Sequence, residues 1–555
     1  MLVSRRAAWT LLGLILAIEL GYILYPSIRV FLEGLRPSNA TQLFTSWNSA
    51  NVRALTNSVL VSIGSVVGSG ILGTTLAYTF FRYKFPLRRT LMAVAAVPLA
   101  LPPLVGVLAF LFLYGETGIV PRVLQAALEL DSVPFSFRGL PAILLVHVYS
   151  LYVYFYLFVM AALQSIDRGV MEASADLGAS PTRTFWQVVF PQLRPALASA
   201  SLLVFMISMA SFTAPLLFAG TEQFLTLQIY NYKTNGNLGL SASASTLLTL
   251  ICLVFLIILE FNNRRRLTGT SSKGIQPLPP SVTTGIRRYA FFSVSVLFLA
   301  FLLLPILTVV LISFAREGSW TVQILPAAYT AANYAKLVGD ASFFEPIRNS
   351  LIMAVAATAA CTVFGLFAGL LIEKTRMPLR WLIRGLAVLP FAIPGTVVAI
   401  NFILTFARPS FLSAGQILVG TFWILPLAYF VRNVPIAVRA ALASLESYDD
   451  RLTEASQDLG AGALTTLRRV VLPAITPGLV AGALLTFVAG LGEFVSSILL
   501  YIVDNKPISV EIWSQLRIYD FGAAAAYSVF LMLIVAGSTV VTRLVSRSDQ
   551  ARTAF

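Results

Sequence analysis

Long apolar runs separated by short polar segments extend along almost the whole chain. A helix needs about 20 mostly apolar residues to cross the hydrocarbon core of a membrane. Such runs lie at residues 9–31, 57–80, 91–113, 141–163, 196–219, 243–262, 290–313, 349–372, 381–407, 416–438, 476–501 and 523–545. The first run is too long for a signal peptide and lacks a small-residue cleavage site, which predicts a retained helix. The pattern predicts an all-α integral membrane protein with about twelve transmembrane helices.

Composition supports this prediction and excludes a string of soluble domains. Of the 555 residues, 57% are hydrophobic and 11% are charged, against roughly 45–50% and 25% in ordinary soluble proteins. The mean hydropathy is +0.83. So few charges cannot cover the surfaces of several soluble domains, so most of the chain must face lipid or other helices.

The distribution of basic residues predicts the orientation in the membrane. The chain has 39 Lys and Arg residues and a net charge of +15. If the N-terminus is inside, most of these residues fall in short cytoplasmic segments, as the positive-inside rule requires, and both termini are cytoplasmic. Because the charges are dispersed over short loops, we expect no nucleic-acid partner.

Histidine and cysteine are almost absent from the chain. The chain contains one histidine, His147, and two cysteines, Cys252 and Cys361, which lie in apolar runs. These are too few for a disulfide scaffold, a metal site or a membrane-embedded catalytic centre. No GxxxxGK[ST] motif is present, so the chain has no P-loop for ATP. We predict a protein that is not an enzyme, with no catalytic or metal-binding residues and no cofactor of its own.

The two halves of the chain are related by an internal repeat. At constant offsets, the matching residues are Asn57-Ser58 with Asn349-Ser350, Pro86-Leu87-Arg88 with Pro378-Leu379-Arg380, Pro98 with Pro390, Pro102 with Pro394, Asp176-Leu177-Gly178 with Asp458-Leu459-Gly460, and Pro191 with Pro473. We predict a first repeat at 1–263, a polar cytoplasmic linker at 264–288 and a second repeat at 289–555. Each repeat has an even number of spans, so the two are parallel and related by an axis along the membrane normal.

One cytoplasmic loop of each repeat has an unusual sequence. Residues 172–191 read EASADLGASPTRTFWQVVFP, and residues 454–473 read EASQDLGAGALTTLRRVVLP. Each predicts a short helix that ends at a glycine with positive φ, Gly178 or Gly460, before the chain turns back towards the next span. A short helix displayed twice on one face is suited to docking into a groove on a partner.

These two loops resemble the EAA loop of type I ABC importer permeases. The matching positions are Glu172, Ala173, Asp176, Gly178 and Pro191 in the first loop and Glu454, Ala455, Asp458, Gly460 and Pro473 in the second. Ser174 and Ser456 replace the third residue of the family pattern, alanine. The resemblance implies that these loops couple the chain to an ATP-hydrolysing subunit, present in two copies, which binds ATP and Mg. It also implies one periplasmic or lipid-anchored solute-binding protein and a location in a bacterial-type inner membrane.

A closer resemblance is to fused, double-domain permeases for ferric iron, carried by residues 492–516 and the stretch that follows. Similar fused permeases are associated with thiamine, aminophosphonate and sugar phosphates, and these solutes remain alternatives. A phosphorylated solute would favour a cation near the outer mouth, where Arg122, Lys233 and Arg408 are available. A self-contained secondary transporter is a further alternative, although it gives no reason for two EAA-like loops.

Polar residues inside the spans are candidates for the translocation pathway, because they are costly in a membrane. These candidates are Ser208, Ser211, Thr213, Asn401, Glu493, Ser496 and Ser497. Glu493 has Ser211 as its counterpart in the first repeat. We interpret His147 and Glu19 as structural, and we expect Arg432 to snorkel to the cytoplasmic interface rather than pair with a carboxylate.

Overall fold

The computed structural model of the chain describes residues 5–43, 49–267, 281–282, 285–320 and 323–552. Most of the predicted linker at 264–288 and the last residues of the chain lie outside these ranges. Within them, eleven helices are long and apolar enough to cross a membrane, or twelve if one bent helix pair counts as a single span. The predicted number of spans is therefore confirmed.

In the described part of the first half there are fourteen α-helices. They are α1 (Arg5–Ile18), α2 (Tyr25–Gly34), α3 (Pro37–Leu43), α4 (Ala50–Arg82), α5 (Arg88–Val94), α6 (Pro103–Tyr114), α7 (Ile119–Ala127), α8 (Gly139–Gln164), α9 (Arg168–Asp176), α10 (Pro181–Thr184), α11 (Phe190–Met209), α12 (Thr213–Phe218), α13 (Leu225–Thr234) and α14 (Leu238–Leu267). Residues Glu19–Leu24 and Phe185–Val189 are π-helical, and Val97–Ala100 form a 3₁₀ turn.

Among the described residues, the second half repeats this order from its third helix onwards, except that no α-helix corresponds to α7. Its helices are α15 (Gly285–Ile312), α16 (Ala332–Gly339), α17 (Ala341–Lys374), α18 (Arg380–Val388), α19 (Gly395–Phe406), α20 (Ile424–Glu446), α21 (Asp450–Asp458), α22 (Ala463–Thr466), α23 (Leu472–Leu491), α24 (Ser497–Leu500), α25 (Ile508–Arg517) and α26 (Phe521–Arg552). Its 3₁₀ turns are Leu389–Phe391, Phe411–Ser413 and Val503–Asn505, and Leu467–Val471 are π-helical like their counterparts after α10.

Two short strands are the exception to the all-α prediction among the described residues. Strand β1 (Tyr83–Lys84) follows α4, and β2 (Ser281–Val282) belongs to the predicted linker. They pair in parallel, with Tyr83 opposite Ser281. The linker is therefore attached to the loop after α4.

Four predicted spans are interrupted in the structure. The predicted spans 91–113 and 381–407 are each broken before a proline-capped helix, and the second bends by 109° at the break. Proline lacks the N–H that would continue the hydrogen-bond ladder, and it pushes the preceding residue towards extended backbone. The predicted spans 196–219 and 476–501 also stop early, at Met209 and Leu491. An apolar run does not reveal these breaks, because the broken segments remain apolar.

Within each half, the long helix after the first span packs closely on the helix that precedes the EAA-like loop. Gly73 of α4 lies against the backbone of Tyr152 in α8, and its counterpart Gly365 of α17 lies against the backbone of Ala437 in α20. A Cβ at either glycine would overlap the facing backbone. These glycines therefore set the distance between the two helices in both repeats.

The first span of each half packs on the other half. Helices α1 and α2 lie against α17 and α19, while α15 lies against α5 and α6. One hydrogen bond of this exchange joins Asn401 Nδ2 of α19 to Ser27 Oγ of α2 at 3.1 Å. These contacts between the first spans and the opposite halves hold the two repeats together.

Candidate functional site

The two halves meet where the helices that follow the EAA-like loops are broken. Helix α11 ends at Met209 and the chain restarts as α12 at Thr213; α23 ends at Leu491 and restarts as α24 at Ser497. In these breaks, Phe212 and its repeat counterpart Phe494 are in ring contact, with centroids 6.2 Å apart. Both side chains are buried. We call this pair of breaks the central constriction.

The proline breaks of α6 and α19 form the walls of the central constriction. Pro102 precedes α6 and Pro394 precedes α19. A Cβ on Gly492 would lie 3.3 Å from Pro102 Cβ, which brings the break of the second half against the wall of the first. Four chain interruptions, two from each repeat, therefore converge on one place.

An ion pair lies beside the constriction in the second half. Arg432 Nε of α20 lies 2.8 Å from Glu493 Oε2. Glu493 Oε1 accepts hydrogen bonds from the backbone N–H and the hydroxyl of Ser496, at 2.9 and 3.0 Å. The prediction that Arg432 snorkels to the cytoplasmic interface is therefore wrong. If Arg432 left for the interface, the buried carboxylate of Glu493 would remain as an uncompensated charge, which is strongly unfavourable.

The first half has neutral groups at the corresponding positions. His147 Nε2 lies 2.9 Å from Ser211 Oγ, and its Nδ1 lies 3.0 Å from the hydroxyls of Ser65 and Ser208. Counted back from the ends of α8 and α20, His147 corresponds to Tyr429, which bonds Ser497 Oγ at 2.7 Å. The prediction of a buried, hydrogen-bonded histidine is confirmed.

The Asn-Ser pairs of the repeat hold a helix above each break. Ser58 Oγ accepts the N–H of Leu225, the first residue of α13, and Ser350 Oγ accepts the N–H of Ile508, the first residue of α25. Asn57 and Asn349 donate to the backbone just before these helices. The serine hydroxyls thus satisfy N–H groups that a helix start leaves without a partner, and the asparagines satisfy nearby carbonyl oxygens.

The helices α13 and α25 are also bonded to the constriction itself. Thr226 Oγ1 donates to the backbone oxygen of Ser211 at 2.8 Å, and Ser509 Oγ donates to that of Glu493 at 2.8 Å. These bonds satisfy carbonyls freed where the preceding helix ends. A displacement of either break would therefore move the helix above it.

The remaining intramembrane candidates lie in different surroundings. Thr213 begins α12, and Ser497 begins α24. Asn401 lies away from the ion pair, between α19 and α2, and its Oδ1 has no hydrogen-bond partner among the described residues. Glu19 is fully buried in its π-helical segment, and neither carboxyl oxygen has a partner in the described part of the chain.

The two EAA-like loops have the same geometry. Helices α9 and α21 end at Asp176 and Asp458, and two residues later Gly178 and Gly460 have φ of +73° and +82°. Ala179 N–H donates to Ser174 O and Ala461 N–H to Ser456 O, both at 3.1 Å, which closes each helix with a Schellman motif. The predicted positive φ is confirmed at both glycines.

The serines that replace the family alanine hold each loop helix against the next helix. Ser174 Oγ lies 2.8 Å from Thr184 Oγ1, and Ser456 Oγ lies 3.0 Å from Thr466 Oγ1, ten residues later in both loops. Both threonines are buried. Residues 181–209 and 463–491 then form continuous helices that end at the central constriction. Each loop helix is therefore hydrogen-bonded to one long helix that ends at the break.

The outer face of each loop helix is open to solvent. The predicted coupling residues Glu172, Ala173, Asp176, Gly178, Glu454, Ala455, Asp458, Gly460 and Pro473 are exposed, and Pro191 is half-buried. Leu177 and Leu459 are 88% and 89% exposed beside the two glycines. Each loop thus displays an apolar side chain at the equivalent position of the two repeats.

Several residues of the site escaped the sequence analysis. Phe212 and Phe494 lie in apolar runs, where a phenylalanine carries no signal by itself. Their equivalent places in the repeat, directly after Ser211 and Glu493, are the signal that would have found them. For Ser65 no such signal exists, because its contact with His147 joins α4 to α8 across a long stretch of chain.

Comparison with known proteins agrees with this architecture. A family model described as "binding-protein-dependent transport system inner membrane component" matches residues 69–268 and again 361–552. The chain is 28% identical to the probable ABC transporter permease protein y4fN of Sinorhizobium fredii, over 91% of this chain and 89% of that protein. It is 27% identical to the ferric transport system permease protein FbpB of Actinobacillus pleuropneumoniae, over 95% of this chain and 76% of that protein.

A solved bacterial ABC transporter involved in the import of alginate is 19% identical over 46% of this chain and 94% of that chain, with a TM-score of 0.36. The family model matches each half separately, at positions that the internal repeat relates, and the two matches together cover more than half of the chain. The chain therefore belongs to the binding-protein-dependent inner-membrane permeases of ABC importers, with two permease repeats in one polypeptide.

Proposed function

We propose that this permease is the whole transmembrane part of a ferric iron importer. It works with two copies of an ATPase at its cytoplasmic face and one solute-binding protein outside. The observation that carries the ATPase part is the pair of loop helices α9 and α21, each with an exposed leucine and a left-handed glycine at its end. Because the repeat supplies both docking helices, one chain is sufficient for an ATPase dimer.

The proposed coupling follows from the continuity of the helices. Closure of the ATPase dimer would move α9 and α21. The Ser174–Thr184 and Ser456–Thr466 hydrogen bonds would transmit this motion to the helices that end at Met209 and Leu491. A shift of these ends separates or joins Phe212 and Phe494. The pathway would thus open to one side at a time, as alternating access requires.

Support for iron comes from relatives rather than from the spans. The similar protein of Actinobacillus pleuropneumoniae is a ferric transport permease, and its similarity covers almost this whole chain. Among the described residues, no group of three His, Cys, Asp or Glu side chains is placed to hold a metal ion. This composition suits a permease whose specificity resides in the solute-binding protein and whose own path binds iron weakly.

The alternative substrates are phosphorylated organic solutes, such as sugar phosphates or aminophosphonate, and thiamine. The outer helix α13 carries one suitable cation, Lys233, where partial burial lowers the pKa of the ammonium below its usual value. Binding of these solutes to the solute-binding protein and their uptake are measured beside those of iron.

The test is transport by the complete complex of permease, ATPase and solute-binding protein in proteoliposomes. We expect ATP-dependent uptake of radioactive iron supplied as ferric citrate, and no uptake without the solute-binding protein. Calorimetry on the solute-binding protein with ferric citrate, a sugar phosphate, aminophosphonate and thiamine provides the independent readout. Tight binding and uptake of an organic solute, with no response to iron, would overturn the iron proposal and leave the importer architecture intact.

A further inference from the structure

The ion pair beside the central constriction is anchored unequally at its two ends. Glu493 uses both carboxyl oxygens: Oε2 faces Arg432, and Oε1 accepts from the N–H and the hydroxyl of Ser496. Arg432 contacts Glu493 through Nε, and among the described residues its two terminal nitrogens take part in no other hydrogen bond or ion pair. Glu493 would remain held if the pair opened, whereas Arg432 would be free to take a new partner.

Exposure agrees with this difference. The Arg432 side chain is 28% exposed, and the Glu493 side chain is 10% exposed. The arginine is therefore the more accessible member of the pair, and the carboxylate is the more deeply buried one. A cation that entered here would meet the guanidinium before the carboxylate.

The guanidinium also lies against the start of helix α19. Its Nη1 is 2.6 Å from the position that a Cβ on Gly395 would occupy, so any other residue there would displace it. The first N–H groups of a helix point outwards without intrahelical acceptors and favour negative charge. Thr396, the next residue, is fully buried, and its hydroxyl has no hydrogen-bond partner among the described residues.

Among the described residues, the first half has no ion pair at the positions equivalent to Arg432 and Glu493. The position of Arg432 corresponds to Ser150 in α8, and that of Glu493 corresponds to Ser211, which bonds His147. Above the constriction, Lys506 pairs with Glu511, where the first half has a hydrogen bond between Gln223 and Gln228. At these two pairs of equivalent positions, the second repeat thus has charged groups where the first repeat has neutral ones.

We propose that Arg432 is a substrate contact that binds an anionic oxygen group, and that Glu493 occupies it when no substrate is present. This inference rests on the proposed function and deepens it, because a ferric ion would then pass as a complex that still carries anionic ligands, not as the bare cation. Arginine suits this role, since its planar fork binds carboxylate or phosphate through two parallel hydrogen bonds.

The test compares single and double variants in the reconstituted complex, with ferric citrate as the probe. Arg432→Gln removes the charge, and Arg432→Gln combined with Glu493→Gln removes it without leaving a buried carboxylate alone. We expect both to lower the maximal iron transport rate by about tenfold or more, the size of one lost charge-assisted contact. Arg432→Lys, which keeps the charge but not the fork, should lie in between.

Two further readouts separate a substrate contact from a structural pair. In the double variant, transport should fall by more than the ATP hydrolysis stimulated by the loaded solute-binding protein, because the lost contact acts on passage of the substrate; in Arg348→Gln, both rates and the concentration of that protein at half-maximal rate should stay near the unmodified values. The surface variant Arg348→Gln, which removes an exposed pair with Glu345, is the control. Recovery of transport in the double variant would show a purely structural ion pair and overturn the proposal, as would equal transport by Arg432→Gln and the unmodified chain.

The failure of this proposal is distinguishable from the failure of the iron assignment. If the unmodified complex carries a sugar phosphate and not iron, the proposed substrate is wrong, and the same Arg432 variants are then measured with the phosphate ester. Loss of that transport in the double variant would support the anion contact with the phosphate as its source. Unchanged transport would reject it.

Discussion

At the scale of single residues, a positive φ at two glycines defines the end of each loop helix. Gly178 and Gly460 have φ of +73° and +82°, and no atom lies within 4 Å of a Cβ built on either one. The requirement for glycine is therefore one of backbone conformation and not of space. In this region a β-branched residue is strained by roughly 1–3 kcal/mol.

Replacing Gly178 or Gly460 by valine should abolish transport and substrate-stimulated ATP hydrolysis while leaving membrane insertion intact. The valine resists positive φ and redirects the exposed Leu177 or Leu459 away from its docking position. Uptake and ATPase assays on the reconstituted complex measure the effect. If transport survives both changes, these loops are not the coupling elements.

The same loop offers a matched control. Gly462 also has open space around it, but its φ is −69°, a value that valine adopts freely. Gly462→Val should therefore transport at nearly the normal rate. A loss at Gly462 equal to that at Gly460 would point to surface bulk rather than backbone conformation.

Arg432 shows what residue-level reasoning could and could not predict. Its position inside an apolar run indicates that the charge must find a partner or reach the interface. Its partner Glu493 lies in a different span, beyond the second loop helix. The cost of burial is a local property, but the identity of the partner depends on how α20 and the α23 break lie beside each other.

At the scale of helices, the hydrogen bonds of the Asn-Ser pairs attach α13 and α25 to the rest of each half. The repeat identified these residues as matching positions but gave them no role. Their role depends on the chain returning to the start of α4 or α17 after the break. The sequence therefore indicated that the pairs matter, and the fold shows that they cap a helix.

Ser350→Ala should destabilise the protein by about 1–3 kcal/mol, because the buried N–H of Ile508 would lose its acceptor. The thermal unfolding midpoint of the purified protein should fall, and α25 should become more sensitive to limited proteolysis. Ser342→Ala, at an exposed position near the start of the same helix α17, is the control and should change stability by less than about 0.5 kcal/mol. Equal effects at the two serines would contradict this role for Ser350.

At the scale of the whole molecule, the two repeats meet at equivalent residues. The contact of Phe212 with Phe494 joins the same position of both halves, as expected on a pseudo-twofold axis. We propose that this contact closes the translocation path between the halves.

Replacing both Phe212 and Phe494 by alanine should raise the leak of small solutes through the protein without ATP, because two large side chains leave the constriction together. Dye or ion release from loaded proteoliposomes measures this leak. The control is Phe205→Ala, which removes one ring of a stacked pair with Phe255, 4.0 Å between centroids, between α11 and α14 of the first half. If vesicles with the double variant release no more dye or ions than vesicles with the unmodified protein, this contact is not the barrier.

The assembly of the complex gives a further prediction. Because one chain displays both docking helices, a purified complex should contain one permease chain and two ATPase subunits. Native mass spectrometry measures this ratio directly. A complex with two permease chains for two ATPases would contradict the proposal that the repeats form a pseudo-dimer by themselves.

The sequence by itself determined the membrane spans, the internal repeat and the two glycine-terminated loop helices. These features depend on local properties: the length of an apolar run, the spacing of polar residues, and the backbone freedom of glycine. They could be predicted because no distant contact is needed to produce them.

The tertiary structure alone decided which residues meet. It exchanged the first spans between the halves, brought Phe212 to Phe494, and paired Arg432 with Glu493. It also divided four apolar runs into separate helices around the central constriction. In an apolar chain almost any two helices can pack, so partners are selected by shape and by the few polar groups that must be satisfied, and these matches join residues far apart in sequence.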